Sequence, residues 1–267
     1  MKFVLRPDVK LSLLCFMVLF LTACGDGDGQ KLISEANNEW IKGRNQSAVE
    51  IFKKVLKKYP STPFAQEALF RLGEIYHFSL DNSEQAIVYF QEVMATDKAG
   101  FHSFHAQKYI AEIVEFTFKD LDQAIIEYQN LINKFDQSQE KGDHQYRIAS
   151  IYFKKRNYKQ ALVEFEVLLE KYPKSPRVEE TQFKILEALY TLKRCSDVHG
   201  YYDDFIERSP GSQYHGEMKF VVASCLEEEG MLQDAFDMFA SLEDNYTYPA
   251  LLQIKLEGIE KRIRKKK

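Results

Sequence analysis

An alanine followed four residues later by an aromatic recurs at near-constant spacing along most of this 267-residue chain. Ala48 precedes Phe52, Ala86 precedes Phe90, Ala124 precedes Tyr128, Ala161 precedes Phe165 and Ala235 precedes Phe239, with Val198 and Tyr202 in the remaining place. The steps between first members are 38, 38, 37, 37 and 37 residues. A second marker runs 12 or 13 residues ahead, at Ala36, Gly73, Ala111, Ala149, Leu186 and Ala223. A third follows 12 residues behind, at Pro60, Pro173 and Pro210, with Lys98 and Asp136 in two repeats and Pro249 two residues late in the last. A fixed period of this length marks one supersecondary unit copied along the chain.

The unit is a helical hairpin. Leu69, Leu72, Gly73 and Tyr76 fall at three- and four-residue spacing, as do Phe165, Leu168, Leu169 and Tyr172, so each run presents one apolar helix face. Small residues on both helices let the axes approach, and the aromatic four places on fills the next groove. Proline closes helix B because it cannot continue one. A single hairpin cannot bury its own apolar face, so neighbours must stack. "ALFRLGEIYHFSLDNSEQAIVYF" (68–90) and "YRIASIYFKKRNYKQALVEFEVLLEKYP" (146–173) resemble tetratricopeptide repeats, through Leu72-Gly73-Tyr76 with Ala86-Phe90, and through Ala149-Tyr152 with Ala161-Phe165 and Pro173. The usual repeat is about 34 residues, and the excess falls in joins such as "KYPSTPFAQEA" (58–68) and "KYPKSPRVEET" (171–181). Glu39 and Leu189 stand where that family has tyrosine, so repeats one and five depart from the pattern. The expected fold is all-α: a right-handed solenoid of about six such hairpins over residues 31–249, then a capping helix with a basic tail over 250–267. In the cap Leu252, Leu256, Ile259 and Ile263 share one face, and Lys261 to Lys267 holds six basic residues. That tail is read as solvated, or as a contact for lipid phosphates or an acidic partner.

The amino terminus carries a different message. Lys2, Arg6 and Lys10 precede an uncharged run from Leu11 to Thr22, which is the layout of a secretory signal. Leu21-Thr22-Ala23-Cys24 resembles the bacterial lipobox, and that resemblance implies cleavage before Cys24, with acyl chains on its thiol and new amino group. Several acyl chains anchor stably where one does not. By the same resemblance, Gly25 after the cysteine favours the outer membrane over retention in the inner one. Gly25 to Gly29 reads as a flexible tether, making 24–30 the lipidated cysteine and its spacer. The whole chain carries −4 and residues 1–23 carry +2, so the mature part carries −6. A general nucleic-acid binder would show a basic balance instead. Cys195 and Cys225 are read as two isolated, half-buried thiols, although export places them where a disulfide is permitted.

No arrangement of nucleophile and base, metal-ligand spacing or phosphate-cradling loop emerges, so no catalytic residue, metal or cofactor is expected. His102 and His105 are read as surface histidines. What remains is a surface on the concave helix A positions. Candidate partner-binding residues are Phe70, Arg71, Glu74, Lys108, Glu112, Tyr146, Arg147, Phe183, Lys184 and Glu187. Local pairing of Arg71 with Glu74 and of Lys184 with Glu187 competes with an extended polypeptide lying across both signs of charge. The tyrosine-proline-x-serine/threonine-proline joins are similar to those of BamD-like outer-membrane lipoproteins and of CpoB/YbgF-like periplasmic proteins. The first resemblance implies a lipid-anchored scaffold in β-barrel assembly. The second implies a coordinator of division and peptidoglycan machinery. A lipoprotein binding a small ligand or glycan in its groove is a third reading. A Cys24→Ser protein is expected to leave the membrane fraction and to lose labelling by palmitate. Retention of both in fractionated cells would remove the anchor.

Overall fold

The computed structural model describes residues 26–98, 100–135, 138–243 and 246–266. The signal run, Cys24 and Asp136 lie outside them. Thirteen α-helices and no strand occur among the described residues. In chain order they are α1 Asp26–Ile41, α2 Asn45–Lys58, α3 Pro63–Phe78, α4 Ser83–Thr96, α5 Phe101–Glu112, α6 Leu121–Lys134, α7 Lys141–Lys154, α8 Tyr158–Lys171, α9 Val178–Thr191, α10 Cys195–Arg208, α11 His215–Glu228, α12 Leu232–Ala240 and α13 Pro249–Lys266. A π-helical turn, Ile113–Phe118, extends α5. The chain divides into two compact units, one ending at Asp120 and one beginning at Leu121.

Within each unit the markers meet as the repeat requires. In the first unit Ala36, Ala48 and Ala86 have no exposed surface. Gly73 has none to spare either, because a Cβ there would overlap the ring of Phe90, which is itself fully buried. In the second unit Ala149, Ala161, Leu186, Val198, Ala223 and Ala235 are all fully buried. The aromatics four places on, Phe165, Tyr202 and Phe239, join the same cores. Helix starts use local chemistry: the Thr62 hydroxyl and the Asn82 and Asn157 side chains accept the N–H of Ala65, Gln85 and Gln160. Helix B ends at Lys58, Lys171 and Arg208, each two residues before its proline. Repeats one and five form full hairpins despite Glu39 and Leu189. Glu39 is held by the Arg44 guanidinium, and Leu189 is buried.

The turns between helices A and B explain the uneven marker spacing. Each contains one residue in the left-handed region: Gly43, Asp81, Lys119, Arg156, Lys193 and Gly230. The next N–H then returns to a helix A carbonyl. In repeats one, four, five and six it reaches five residues back, as from Asn157 to Tyr152 at 2.9 Å and from Met231 to Leu226 at 3.0 Å. In repeats two and three it reaches six back, from Asn82 to Tyr76 at 2.8 Å and from Asp120 to Val114 at 3.0 Å. Those are the two repeats with 13 rather than 12 residues between markers. The extra residue widens one hydrogen-bonded ring, and in repeat three it also relaxes the helix end into a π turn.

Four expectations give way. Residues 26–30 are helical, not a tether: α1 begins at Asp26 because Gly29 packs under the Phe64 ring at the start of α3. Pro249 does not end a helix but begins α13, where its missing N–H leaves no hydrogen bond unmade. Leu252, Leu256 and Ile259 are buried as the cap requires, and the basic stretch stays exposed but is helical, not a tail beyond the helix. The helix runs on to Lys266, and Arg262 and Lys255 bind Glu227 of α11 at 2.7 and 2.6 Å. Cys195 and Cys225 are not isolated. They form a disulfide, with Cα atoms 5.4 Å apart, that ties the first turn of α10 to α11. Stacking of successive repeats brings together two positions 30 residues apart that no local rule relates.

Ala161→Leu adds three carbons to a contact with no free volume, and such overpacking costs about 1–3 kcal/mol. The melt of the acyl-free Cys24→Ser protein is expected to drop by several degrees, and an unchanged melt would refute the close helix approach. Closing a loop of this length constrains the unfolded chain by about 3–4 kcal/mol. Reduction, or paired Cys195→Ser and Cys225→Ser substitution, is expected to lower the melting temperature of the second unit by more than Ala161→Leu does, as read by calorimetry.

Candidate functional site

In the first unit several candidate residues have become core. Phe70 is only 5% exposed and packs between Phe90 at 5.8 Å, His102 at 5.0 Å and Tyr109 at 5.9 Å, measured between ring centroids. Arg71 binds Glu74 at 2.7 Å, and the Tyr109 hydroxyl donates to the other Glu74 oxygen at 3.2 Å. Burial and Glu74 together push the Tyr109 phenol up to about 12. Glu74 is 8% exposed, so its charge is spent inside the fold. Lys108 and Glu112 lie half-buried along α5. His102 and His105 are not surface histidines. Both rings sit in the Phe70–Phe101 cluster, and burial lowers the His102 pKa. Among the described residues no group of histidine, cysteine and carboxylate side chains has the makings of a metal site.

The second unit carries an open groove of about 890 Å³. Its walls come from the inward side of α9 and α11, from Phe153 and Tyr158 at one end, and from Tyr246, Thr247, Tyr248 and Leu251 at the other. Of the candidate residues, Phe183, Lys184 and Glu187 line it. Lys184 bonds Glu187 at 2.6 Å and lies 5.2 Å from the Phe183 ring centroid and 5.6 Å from that of Phe153. Tyr146 does not reach the groove. It is 8% exposed, donates its hydroxyl to Glu180 at 2.6 Å and is covered by the Arg177 guanidinium, 5.2 Å above its ring. Arg147 is half-buried on α7.

Sequence reasoning missed Tyr214, Glu217, Phe220, Tyr246 and Tyr248. Tyr214 stacks on Phe183 at 5.6 Å and 19°, and Tyr246 stacks on Phe220 at 4.8 Å and 3°. Thr247 donates to Glu217 at 2.6 Å. Burial, with the Glu217, Tyr248 and Glu187 groups around it, pushes the Tyr246 phenol up to about 12. At the groove edge the Tyr190 hydroxyl donates to Glu228 at 2.8 Å, and burial with that carboxylate pushes the phenol up to about 12. One signal for these residues was present. Glu217 stands four residues before Val221 and seven before Ser224, which hold in α11 the places of Lys184 and Glu187 in α9. Tyr246 and Tyr248 come from a connection, where no helical period points inward.

The helices define an all-α solenoid of tetratricopeptide-type hairpins. A tetratricopeptide-repeat family model, TPR_16, matches residues 33–99. The family model YfiO, described as an outer membrane lipoprotein, matches residues 138–246, which include most of the groove. The chain thus resembles tetratricopeptide-type outer membrane lipoproteins, as the repeat joins and lipobox led one to expect. No curated protein matches it. Among solved structures, a tetratricopeptide repeat protein from Parabacteroides merdae ATCC 43184 aligns at 17% identity and TM-score 0.51, over 88% of this chain and 87% of that one. The apo form of RapI aligns at 14% identity and TM-score 0.61, over 89% and 72%. YrrB, described as a TPR protein with an unusual peptide-binding site, aligns at 14% and 0.54, over 79% and 99%. At these identities the structures speak for the fold alone. Together with the family matches they support a protein-binding repeat scaffold.

Proposed function

We propose that the chain is a lipid-anchored scaffold on the periplasmic side of the outer membrane that holds other envelope proteins, serving β-barrel protein assembly in the BamD-like manner. The observation that carries this reading is the aromatic groove of the second unit, most of which lies within the stretch matched by the outer membrane lipoprotein family. Its walls offer stacked rings, hydroxyls and carboxylates, groups suited to holding a chain. Several aromatic faces in a row suit an extended segment, because rings supply contact area at small conformational cost. The lipobox ending at Cys24 supports the anchor. The YfiO match favours barrel assembly over the division and peptidoglycan reading.

Native capture from detergent-solubilised membranes tests the proposal. The wild-type protein is expected to bring down barrel-assembly subunits. Substitution of the exposed Tyr248→Ala is expected to reduce that recovery severalfold, with the anchor and the melt retained. Recovery of division or peptidoglycan proteins, or of no envelope protein, would overturn it.

A further inference from the structure

The second unit contains an internal example of how this repeat binds a cation. Arg177 bonds Asp143 at 2.7 Å and Glu180 at 2.8 Å, while its guanidinium covers the Tyr146 ring. Asp143 and Glu180 hold the same helix A place in successive repeats, and Glu217 is the next in the series. Tyr146, Phe183 and Phe220 form a second such series. The groups stacked on those rings are Arg177, Tyr214 and Tyr246 in turn. The guanidinium of the first step is thus replaced by a phenol ring at the next two. Glu217 keeps its carboxylate and loses the cation: its contact is the Thr247 hydroxyl, and it forms no ion pair among the described residues. It lines the groove beside the Tyr246 ring, with Glu187 on the facing helix.

We infer that the groove receives an extended segment of a partner protein through an arginine or lysine side chain, whose charge lies against Glu217 and over the rings of Tyr246 and Tyr248. This rests on the proposed scaffold role and specifies the sign of the partner. A carboxylate and an aromatic ring are the two elements that hold Arg177 one repeat earlier, and Glu217 with the exposed Tyr248 ring offers both in the groove. A ring face attracts a cation through its quadrupole, and partial exclusion of water strengthens both terms. Glu187 adds negative potential but is shared with Lys184, so Glu217 carries the recognition.

The test uses the full acylated chain in detergent with its disulfide intact. The probes are a fluorescein-labelled glycine–serine peptide carrying several arginines and the same peptide with neutral citrulline in their place. By fluorescence anisotropy the arginine peptide is expected to bind about tenfold more tightly, a difference of about 1.4 kcal/mol, and to weaken as salt rises. Glu217→Gln is expected to remove most of that difference without changing the melt. Asp204→Asn, which removes an exposed carboxylate paired with Arg208, leaves it intact. Equal binding of the two peptides, binding of neither, or equal loss in the two variants would overturn the inference. If Glu217→Gln still captures barrel-assembly subunits from membranes as wild type does, the cation reading falls while the scaffold reading stands.

Discussion

The close approach of helix A to helix B is the contact on which everything else here depends. It is set by residues too small to hold the axes apart: alanine at 36, 48, 86, 149, 161, 223 and 235, and glycine at 73. An aromatic from helix B then fills the space that the small residue leaves, as Phe90 does against Gly73. The balance is steric before it is hydrophobic. A larger residue at the small position has nowhere to go, and a smaller one at the aromatic position leaves a void lined by atoms that lose their partners. Repeat five departs from the rule with Leu186 and Val198, both fully buried, and it is the repeat whose helix B carries Cys195. The disulfide joins this hairpin to the next one.

The turns show how a repeat tolerates change without losing register. One residue in the left-handed region ends helix A in every hairpin, and only two of the six are glycine. The others accept a modest backbone cost because the following N–H regains a helix carbonyl. When a residue is added, as in repeats two and three, the hydrogen-bonded ring grows by one. Core positions are thus insulated from loop length: the period is 38 twice and then 37, and the marker residues are buried in both cases.

Charge is sorted by what covers it. Where the next helix A closes over a carboxylate, the protein supplies its own partner: Arg71 for Glu74, and Arg177 for Asp143 and Glu180. Towards the end of the second unit the covering element is not another hairpin but the connection into α13. Tyr246 and Tyr248 arrive from it and replace a cation with ring faces. Glu227 of α11 takes both Lys255 and Arg262 from the cap. The groove keeps an acidic, aromatic character.

The hairpins, their order, the small-to-aromatic seam and the apolar stripe of the cap were legible from the chain alone, because each is a local periodicity of three to four residues inside a longer one. Residue type and spacing determine those faces whatever lies beyond them. The groove was only half legible. Phe183, Lys184 and Glu187 followed from helix register, but Phe70, Glu74 and Tyr146 share that register and are buried. Whether an inward residue faces solvent depends on the side chains of the next repeat, on His102 and Tyr109 in one case and Arg177 in the other. Tyr246 and Tyr248 sit in a connection without periodicity, and Cys195 meets Cys225 only because stacking sets α10 against α11. Local pattern decides which face of each helix is apolar. Only the packed neighbour decides which of the remaining groups are covered, paired or left open to a partner.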